Sequence, residues 1–119
     1  MTVAAYNLLH PLPDASKGEV ADVLVAGTGF RLIRITSAGQ ASPPGFWYDQ
    51  DEAEWVMLVE GEAALELEGD PAPRALRAGD VVVLPAGRRH RVVMTAPDRP
   101  TVWLALFAAA GTATPFTGA

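Results

Sequence analysis

Two ionisable side chains, a carboxylate and an imidazole, fall on the apolar faces of segments that alternate like β-strands. Glu54 shares a face with Val56, and His90 shares a face with Val92 and Met94, because successive side chains of a strand point to opposite sides. A buried ionisable group costs free energy unless it is paired or used. An imidazole and a carboxylate can give and take protons, so this pair is the first candidate for acid–base chemistry.

Both residues also have structural interpretations that the sequence leaves open. An inward-facing histidine is more often a hydrogen-bonded core residue than a ligand or a catalyst. Glu54 has an alternative role as the buried partner of Arg34, which alternation places on an apolar face with Phe30 and Leu32. The chain's other histidine, His10, lies close to prolines and is predicted to occupy an exposed N-terminal loop.

Short strands must position these side chains, because glycine and proline recur at short intervals along the chain. The runs between these turn signals are rich in β-branched and aromatic residues, which is typical of a β-sandwich or β-barrel. Only residues 14–26 are predicted to contain a helical turn. Strands are predicted at about 30–36, 46–49, 54–60, 62–68, 81–84, 89–95 and 101–108.

Length and composition indicate one soluble domain. The 119 residues are half hydrophobic, carry a net charge of −5 and include no cysteine, which excludes disulfides, thiolate metal sites and cysteine nucleophiles. The one basic cluster, Arg88, Arg89 and Arg91, is too small to indicate nucleic-acid binding by an acidic protein. No apolar run is long enough to span a bilayer, and the N-terminus does not resemble a signal peptide. We therefore expect no membrane association and a cytoplasmic location.

The spacing around His90 matches a known pattern. Five residues separate Gly79 from the Pro-x-Gly turn that ends at Gly87, and two residues separate Gly87 from His90. This spacing resembles the second conserved motif of the cupin superfamily, with Met94 in place of the final asparagine. Along the chain, the turn-forming and apolar residues of this segment predict a turn, a buried strand, a second turn and a strand that carries the histidine.

The first cupin motif is matched in part. Glu54 stands at the motif's distance before a glycine, but the motif's two histidines are replaced. The shorter family spacing puts Tyr48 and Gln50 at their positions, and the longer spacing puts Trp47 and Asp49 there. The parity of a strand favours Tyr48 and Gln50, which share a face with Glu54 unless a bulge intervenes.

The resemblance implies an all-β fold, a double-stranded antiparallel β-barrel of the jelly-roll, or cupin, type. The block 46–56 is similar to a group of small bacterial cupins with the same WYDQ and EWV strings, and the resemblance extends over most of the chain. We expect a single cupin domain over residues 1–119, with a barrel core at about 30–108 and an N-terminal arm at 1–29.

Cupins usually hold a divalent metal on three histidines and one glutamate, and the resemblance implies such a site here. Glu54 and His90 match two of these four ligand positions, with Gln50 and Tyr48 at the other two. Gln50 offers a neutral oxygen, and Tyr48 must lose its proton before it can bind a metal. We therefore expect weak or substoichiometric binding of zinc, iron, manganese or nickel.

The function predicted from these features is the binding of a small polar metabolite in the barrel cavity, followed by an enzymatic reaction. His90 is expected to be the main proton-transfer group, Glu54 its partner and Tyr48 a donor to the substrate. A non-catalytic cupin, acting as a small-molecule sensor or accessory binding protein, is the alternative, and a structural dimer with a disused cavity is a third hypothesis. A homodimer is expected because residues 102–107 are apolar on both faces, and one small barrel covers only one of them.

Overall fold

Eight antiparallel strands build the fold of the residues that the structure describes. The computed structural model describes residues 2–110, so residue 1 and residues 111–119 of the predicted domain lie outside the described residues. No helix among residues 2–110 is long and apolar enough to cross a membrane. The strands are β1 Val20–Gly27, β2 Phe30–Ser37, β3 Ala53–Glu60, β4 Glu62–Leu67, β5 Arg74–Arg77, β6 Val81–Leu84, β7 His90–Thr95 and β8 Thr101–Ala108.

The strands form two sheets that share one hydrophobic core. The larger sheet has the strand order β1-β2-β8-β3-β6, and the smaller sheet has the order β5-β4-β7. Strands of both sheets contribute buried side chains, so the two apolar faces pack against each other as in a β-barrel of the jelly-roll type. The predicted all-β fold is confirmed. The core residues are Val56, Leu58, Ala63, Leu65, Leu67, Leu76, Val82, Leu84, Trp103, Ala105 and Phe107.

Alternation along β4 separates the core from the solvent. Ala63, Leu65 and Leu67 are buried, as the sequence predicts. The glutamates between and beside them point outward and pair with arginines, and exposed pairs of this kind contribute little stability. These pairs are Glu62–Arg99, Glu66–Arg91 and Glu68–Arg89, with N–O distances of 2.9, 3.2 and 2.6 Å.

The turn between β3 and β4 requires a glycine. Gly61 has a φ of +93°, which disfavours a side chain. A Cβ atom at this position would lie 2.7 Å from the Cα atom of Thr101. The glycine that completes the first sequence motif therefore allows β3 to turn directly into β4, close to the start of β8.

The structure differs from the predicted elements in three places. Strand β1 at 20–27 occupies about half of the range 14–26 in which a helical turn is expected, and 74–77 form strand β5, which was not predicted. Both are edge strands, which bury few side chains and so show weak alternation in sequence. The segment 46–49 is not a strand, because Tyr48 alone makes a bridge, to His90.

A β-bulge in β7 changes which of its side chains face inward. The register between β7 and β4 shifts between Val92 and Met94, and an extra residue reverses the alternation. Val92 therefore lines the interior, whereas Met94 is exposed and Thr95 is buried. The expectation that Met94 shares the face of His90 is wrong for this reason.

Candidate functional site

A cavity of about 100 Å³ lies between the two sheets. Most of its lining is apolar, and a few polar groups converge on it, which is typical of a small-molecule site. Its apolar wall consists of Ile35, Val56, Leu65, Leu84, Val92, Trp103 and Phe107. Its polar groups are Glu19, Tyr48, Gln50, Glu54 and His90.

Glu54 is fixed near the start of β3, between two neighbouring strands. Its backbone pairs with Leu84 of β6 and Phe107 of β8, and the residue is 7% exposed. Its Oε1 accepts a hydrogen bond from Gln50 Nε2 at 2.8 Å and lies 3.7 Å from His90 Nε2. Burial raises the pKa of Glu54, while His90 and the hydrogen bond from Gln50 act in the opposite direction.

His90 is the first residue of β7, and its imidazole is oriented by a backbone carbonyl in the turn just before it. Its Nδ1 lies 3.0 Å from the carbonyl oxygen of Arg88. Because a carbonyl oxygen only accepts hydrogen bonds, this contact assigns the ring proton to Nδ1. In the neutral ring, Nε2 then keeps its lone pair and faces Glu54 across the cavity. That nitrogen is therefore the one available as a base or a ligand.

Tyr48 reaches the cavity from the loop before β3 and is anchored to His90. The two residues exchange both backbone hydrogen bonds, at 2.7 and 3.1 Å. Their rings stack with centroids 5.4 Å apart and planes 22° apart. Burial raises the pKa of Tyr48, and the carboxylates of Glu19 and Glu54 raise it further. The phenol therefore keeps its proton near neutral pH and can donate a hydrogen bond to a ligand.

The structure selects between the two motif spacings that the sequence left open. Tyr48 and Gln50 line the cavity, whereas Trp47 and Asp49 do not. The Gln50 carbonyl accepts a hydrogen bond from the Gly87 backbone at 2.8 Å, which ties this loop to the turn of the second motif. The shorter spacing is the one that places side chains inside the barrel.

Arg34 is not the partner of Glu54. Since Ile33 and Ile35 pack against the core, Arg34 points to the outer face, where it pairs with Asp22 at 2.7 Å. The alternative role of Glu54 as the buried partner of Arg34 is therefore wrong. The odd-numbered residues of β2 face the core, and Arg34 lies on the opposite face.

The arginine on the inner face of β2 is Arg31. Its guanidinium lies 4.5 Å from the centroid of the Phe107 ring and forms an ion pair with Glu52. Arg31 lowers the pKa of Glu54 through its charge, but burial outweighs this effect. The predicted exposure of His10, in contrast, is confirmed.

Glu19 is a cavity residue that the sequence did not indicate. It lies immediately before β1, lines the cavity and accepts a hydrogen bond from Ser37 Oγ at 2.6 Å. No motif or periodic pattern marks this position. Its role follows only from the pairing of β1 with β2, which brings the end of the N-terminal segment to the barrel.

Comparison with protein families settles the relationship that the motifs indicate. The family model of the cupin domain matches residues 34–107, a range that contains Glu54 and His90. The chain belongs to the cupin family. No curated protein sequence matches the chain.

Solved cupin structures share this fold. A protein of Ralstonia eutropha JMP134 that carries the name "putative mannose-6-phosphate isomerase" is 47% identical, with a TM-score of 0.87 over 91% of this chain and 100% of that one. A Cupin 2 conserved barrel domain protein from Salinispora arenicola CNS-205 is 26% identical, with a TM-score of 0.67 over 94% of this chain and 93% of that one. DMSP lyase DddQ from Ruegeria pomeroyi DSS-3 is 24% identical, with a TM-score of 0.59 over 81% of this chain and 49% of that one.

The donor set of this cupin does not fit the metal that the family usually holds. Transition-metal sites in proteins use three or four imidazole, carboxylate or thiolate ligands. Within residues 2–110 no group of three histidine, cysteine, aspartate or glutamate side chains could hold a metal ion. Glu54 and His90 supply two donors, Gln50 directs its amide N–H to Glu54, and Tyr48 retains its phenolic proton.

Proposed function

We propose that this cupin binds a small polar metabolite in its cavity and transfers protons on it through His90 and Glu54. One observation carries the proposal: His90 Nε2 and Glu54 Oε1 face each other at 3.7 Å inside an otherwise largely apolar cavity. Side chains that titrate in such surroundings are expensive to bury and are frequent in active sites. The Arg88 carbonyl supports the proposal further, because it leaves the lone pair of the imidazole on the cavity side.

The proposed chemistry is proton transfer next to a carbonyl group. His90 Nε2 takes a proton from the carbon beside the carbonyl, and the electron pair of the broken C–H bond moves toward the carbonyl oxygen. Tyr48 donates a hydrogen bond to that oxygen. Return of a proton from Glu54 to the opposite face of the same carbon gives epimerisation. In an α-hydroxy carbonyl ligand, isomerisation results when Glu54 gives its proton to the former carbonyl carbon while the hydroxyl proton moves to the former carbonyl oxygen. Raising the pKa of Glu54 by burial favours its role as the acid.

The name of the Ralstonia relative agrees with the reaction type proposed here, but not with a phosphorylated substrate. Isomerisation is a proton transfer of the kind proposed here. The phosphate in that name has no counterpart in this cavity, because no arginine or lysine is among its lining residues within 2–110. We therefore propose that this cupin shares the reaction type, but that its substrate is not a phosphorylated sugar.

The second candidate function is non-catalytic binding, as in a small-molecule sensor or accessory protein. The replacement of two motif histidines by Tyr48 and Gln50 favours it, since these side chains form hydrogen bonds but do not titrate near neutral pH. Both candidates use the same cavity and differ in whether the bound molecule changes.

The experiment first identifies ligands and then asks whether they react. Small polar metabolites are screened by ligand-observed NMR against the wild-type protein, His90→Ala and His10→Ala. Binding should be lost in His90→Ala and kept in His10→Ala, whose histidine is exposed. Bound molecules are then incubated in D₂O. Deuterium on a carbon next to a carbonyl supports the enzyme, and binding without incorporation supports the sensor. Binding that survives in the folded His90→Ala variant would contradict both.

A further inference from the structure

Aliphatic side chains form the most buried wall of the cavity. Seven of the twelve lining residues that the structure describes are apolar, and Val56, Leu65 and Leu84 are only 4%, 2% and 1% exposed. Hydrocarbon side chains offer no hydrogen bond, so a hydroxyl group that is buried against them loses its hydration without compensation. A well-bound ligand must therefore present hydrocarbon to this wall.

The polar groups of the cavity can serve only one end of a ligand. The amide N–H of Gln50 is directed to Glu54 Oε1, and the Nδ1 atom of His90 is directed to the Arg88 carbonyl. The groups left for a ligand are the Tyr48 hydroxyl, His90 Nε2 and the second carboxyl oxygen of Glu54. These groups lie close together, because the ring of Tyr48 stacks on that of His90 and Nε2 faces Glu54.

A charged ligand would gain little in this interior. No arginine or lysine is among the cavity residues of the described part of the chain, so a buried carboxylate or phosphate would lack a counter-ion. A cation would compete with His90 and Gln50 for Glu54. The other lining carboxylate, Glu19, is exposed and accepts a hydrogen bond from Ser37, so it stays hydrated. The cavity is therefore suited to an uncharged molecule.

We propose that the cavity selects an uncharged carbonyl compound with one polar end and one hydrocarbon end, in preference to fully hydroxylated or anionic compounds of the same size. This inference rests on the proposed function and names its substrate class. The carbonyl oxygen accepts a hydrogen bond from Tyr48, and the adjacent C–H group faces His90 Nε2. The hydrocarbon end contacts the wall that contains Val56, Leu65 and Leu84, where its transfer from water is favourable.

The size of the cavity limits the ligand. Its volume of about 100 Å³ is smaller than the roughly 150 Å³ of an apolar cavity that holds benzene. The enclosed part of the ligand should therefore contain about four non-hydrogen atoms. Tyr48 is 37% exposed and Glu19 is exposed as well, so their side marks the direction in which a longer ligand reaches the solvent.

The test uses three probes with the same number of non-hydrogen atoms: acetoin, dihydroxyacetone and lactate. Each is titrated into isotope-labelled protein at pH 7, and its Kd is measured from the NMR shifts of cavity residues. Acetoin should bind with a Kd at least about tenfold lower than the other two, because they bury a second hydroxyl or a carboxylate where acetoin buries a methyl group.

A matched pair of variants assigns this preference to the apolar wall. Val92→Thr keeps the shape of a half-buried lining side chain and adds a hydroxyl group to the wall. It should reduce the ratio of the Kd values of dihydroxyacetone and acetoin several-fold. The control Val23→Thr should leave the ratio unchanged, because Val23 is 61% exposed and does not line the cavity.

The outcomes separate this inference from the proposed function. If dihydroxyacetone or lactate binds as tightly as acetoin, the selectivity is wrong while the cavity remains a ligand site. If Val92→Thr and Val23→Thr change the Kd ratio equally, the assignment of selectivity to the apolar wall is wrong. If acetoin binds best but takes up no deuterium in D₂O, the selectivity stands and the protein is a binding protein for this class. If no probe binds, the inference is wrong, and the metabolite screen decides separately whether the cavity is a site.

Discussion

His90 Nε2 and Glu54 Oε1 stand 3.7 Å apart, although the two residues belong to different sheets. Strand β7 brings the imidazole from the three-stranded sheet, and β3 brings the carboxylate from the five-stranded sheet. Their distance is therefore set by how the sheets pack. A ligand that reaches one of these groups is also close to the other, which is the condition for moving a proton from one ligand position to another.

Replacing His90 by glutamine should separate binding from proton transfer. His90→Gln keeps a polar side chain in the cavity but removes the imidazole nitrogen that faces Glu54. We expect deuterium incorporation into the ligand to fall by about 100-fold or more, while its Kd changes by less than about tenfold. Mass spectrometry in D₂O and an NMR titration measure the two effects, with His10→Gln as the matched control. Unchanged incorporation would remove His90 from the chemistry.

The stability of the protein should fall with rising pH because of Glu54. Burial raises the pKa of Glu54 above its ordinary value of 4.5. Between 4.5 and the raised value, the native state therefore holds more protons than the unfolded state. The free energy of unfolding then decreases with pH, by at most about 1.4 kcal/mol per pH unit for one group. This contribution is fully present below pH 4.5 and is lost as the pH rises through the folded pKa.

The variant Glu54→Gln tests this linkage, because glutamine fills the same space without titrating. Urea unfolding from pH 4 to pH 8 should give a smaller decrease in stability for Glu54→Gln than for the wild type. The variant should thus gain stability relative to the wild type at neutral pH. A matched change at the exposed Glu60, Glu60→Gln, should leave the slope as it is. A wild-type slope that equals that of Glu54→Gln would show that His90 and Gln50 fully offset the burial of the carboxylate.

Restoring the two motif histidines should create a metal site. The wild-type protein, purified without added metal, should hold substoichiometric zinc, iron, manganese and nickel, since Glu54 and His90 are two donors where three or four are usual. The double variant Tyr48→His/Gln50→His places imidazoles at positions that both line the cavity. Elemental analysis should then find close to one metal ion per chain. Stoichiometric metal in the wild type would show that Tyr48 and Gln50 act as ligands.

The outer face of the five-stranded sheet should mediate a homodimer, and we propose a second copy of the chain as the molecule that covers it. The cross-strand register aligns an apolar row over four strands on the side away from the cavity. Within this row, Leu106 of β8 is 37% exposed. At the opposite end of β8, Val102 is already fully buried within the single chain. The row consists of Leu32, Leu106, Trp55 and Val83.

Leu106→Glu should convert this dimer into a monomer. A charge in the centre of an apolar interface loses its hydration when the interface forms, while a partly exposed position tolerates it in the single chain. Sedimentation at micromolar concentration should show a dimer for the wild type and a monomer for the variant. The control Val3→Glu changes a side chain that is 89% exposed and should remain dimeric. A monomeric wild type would refute the homodimer.

Local sequence patterns were sufficient for much of the barrel and for the two central residues of the site. Alternation identified the buried faces of β3 and β4, and the spacing from Gly79 to His90 identified the strand that carries the imidazole. The shorter spacing of the first cupin motif, counted back from Glu54, correctly placed Tyr48 and Gln50 at the cavity, although they lie in a loop. These features could be predicted because turn residues and period-two alternation are encoded within a few neighbouring residues.

The tertiary structure decided the features that depend on cross-strand partners. Arg31, not Arg34, lies on the inner face of β2, and the bulge in β7 turns Met94 outward. Glu19 joins the cavity only because β1 pairs with β2. A single segment alternates equally well in either parity, and the register with its neighbours chooses between them. The sequence alone thus indicated the residues that we propose to carry the chemistry, and the packing of the two sheets determined which side chains surround them.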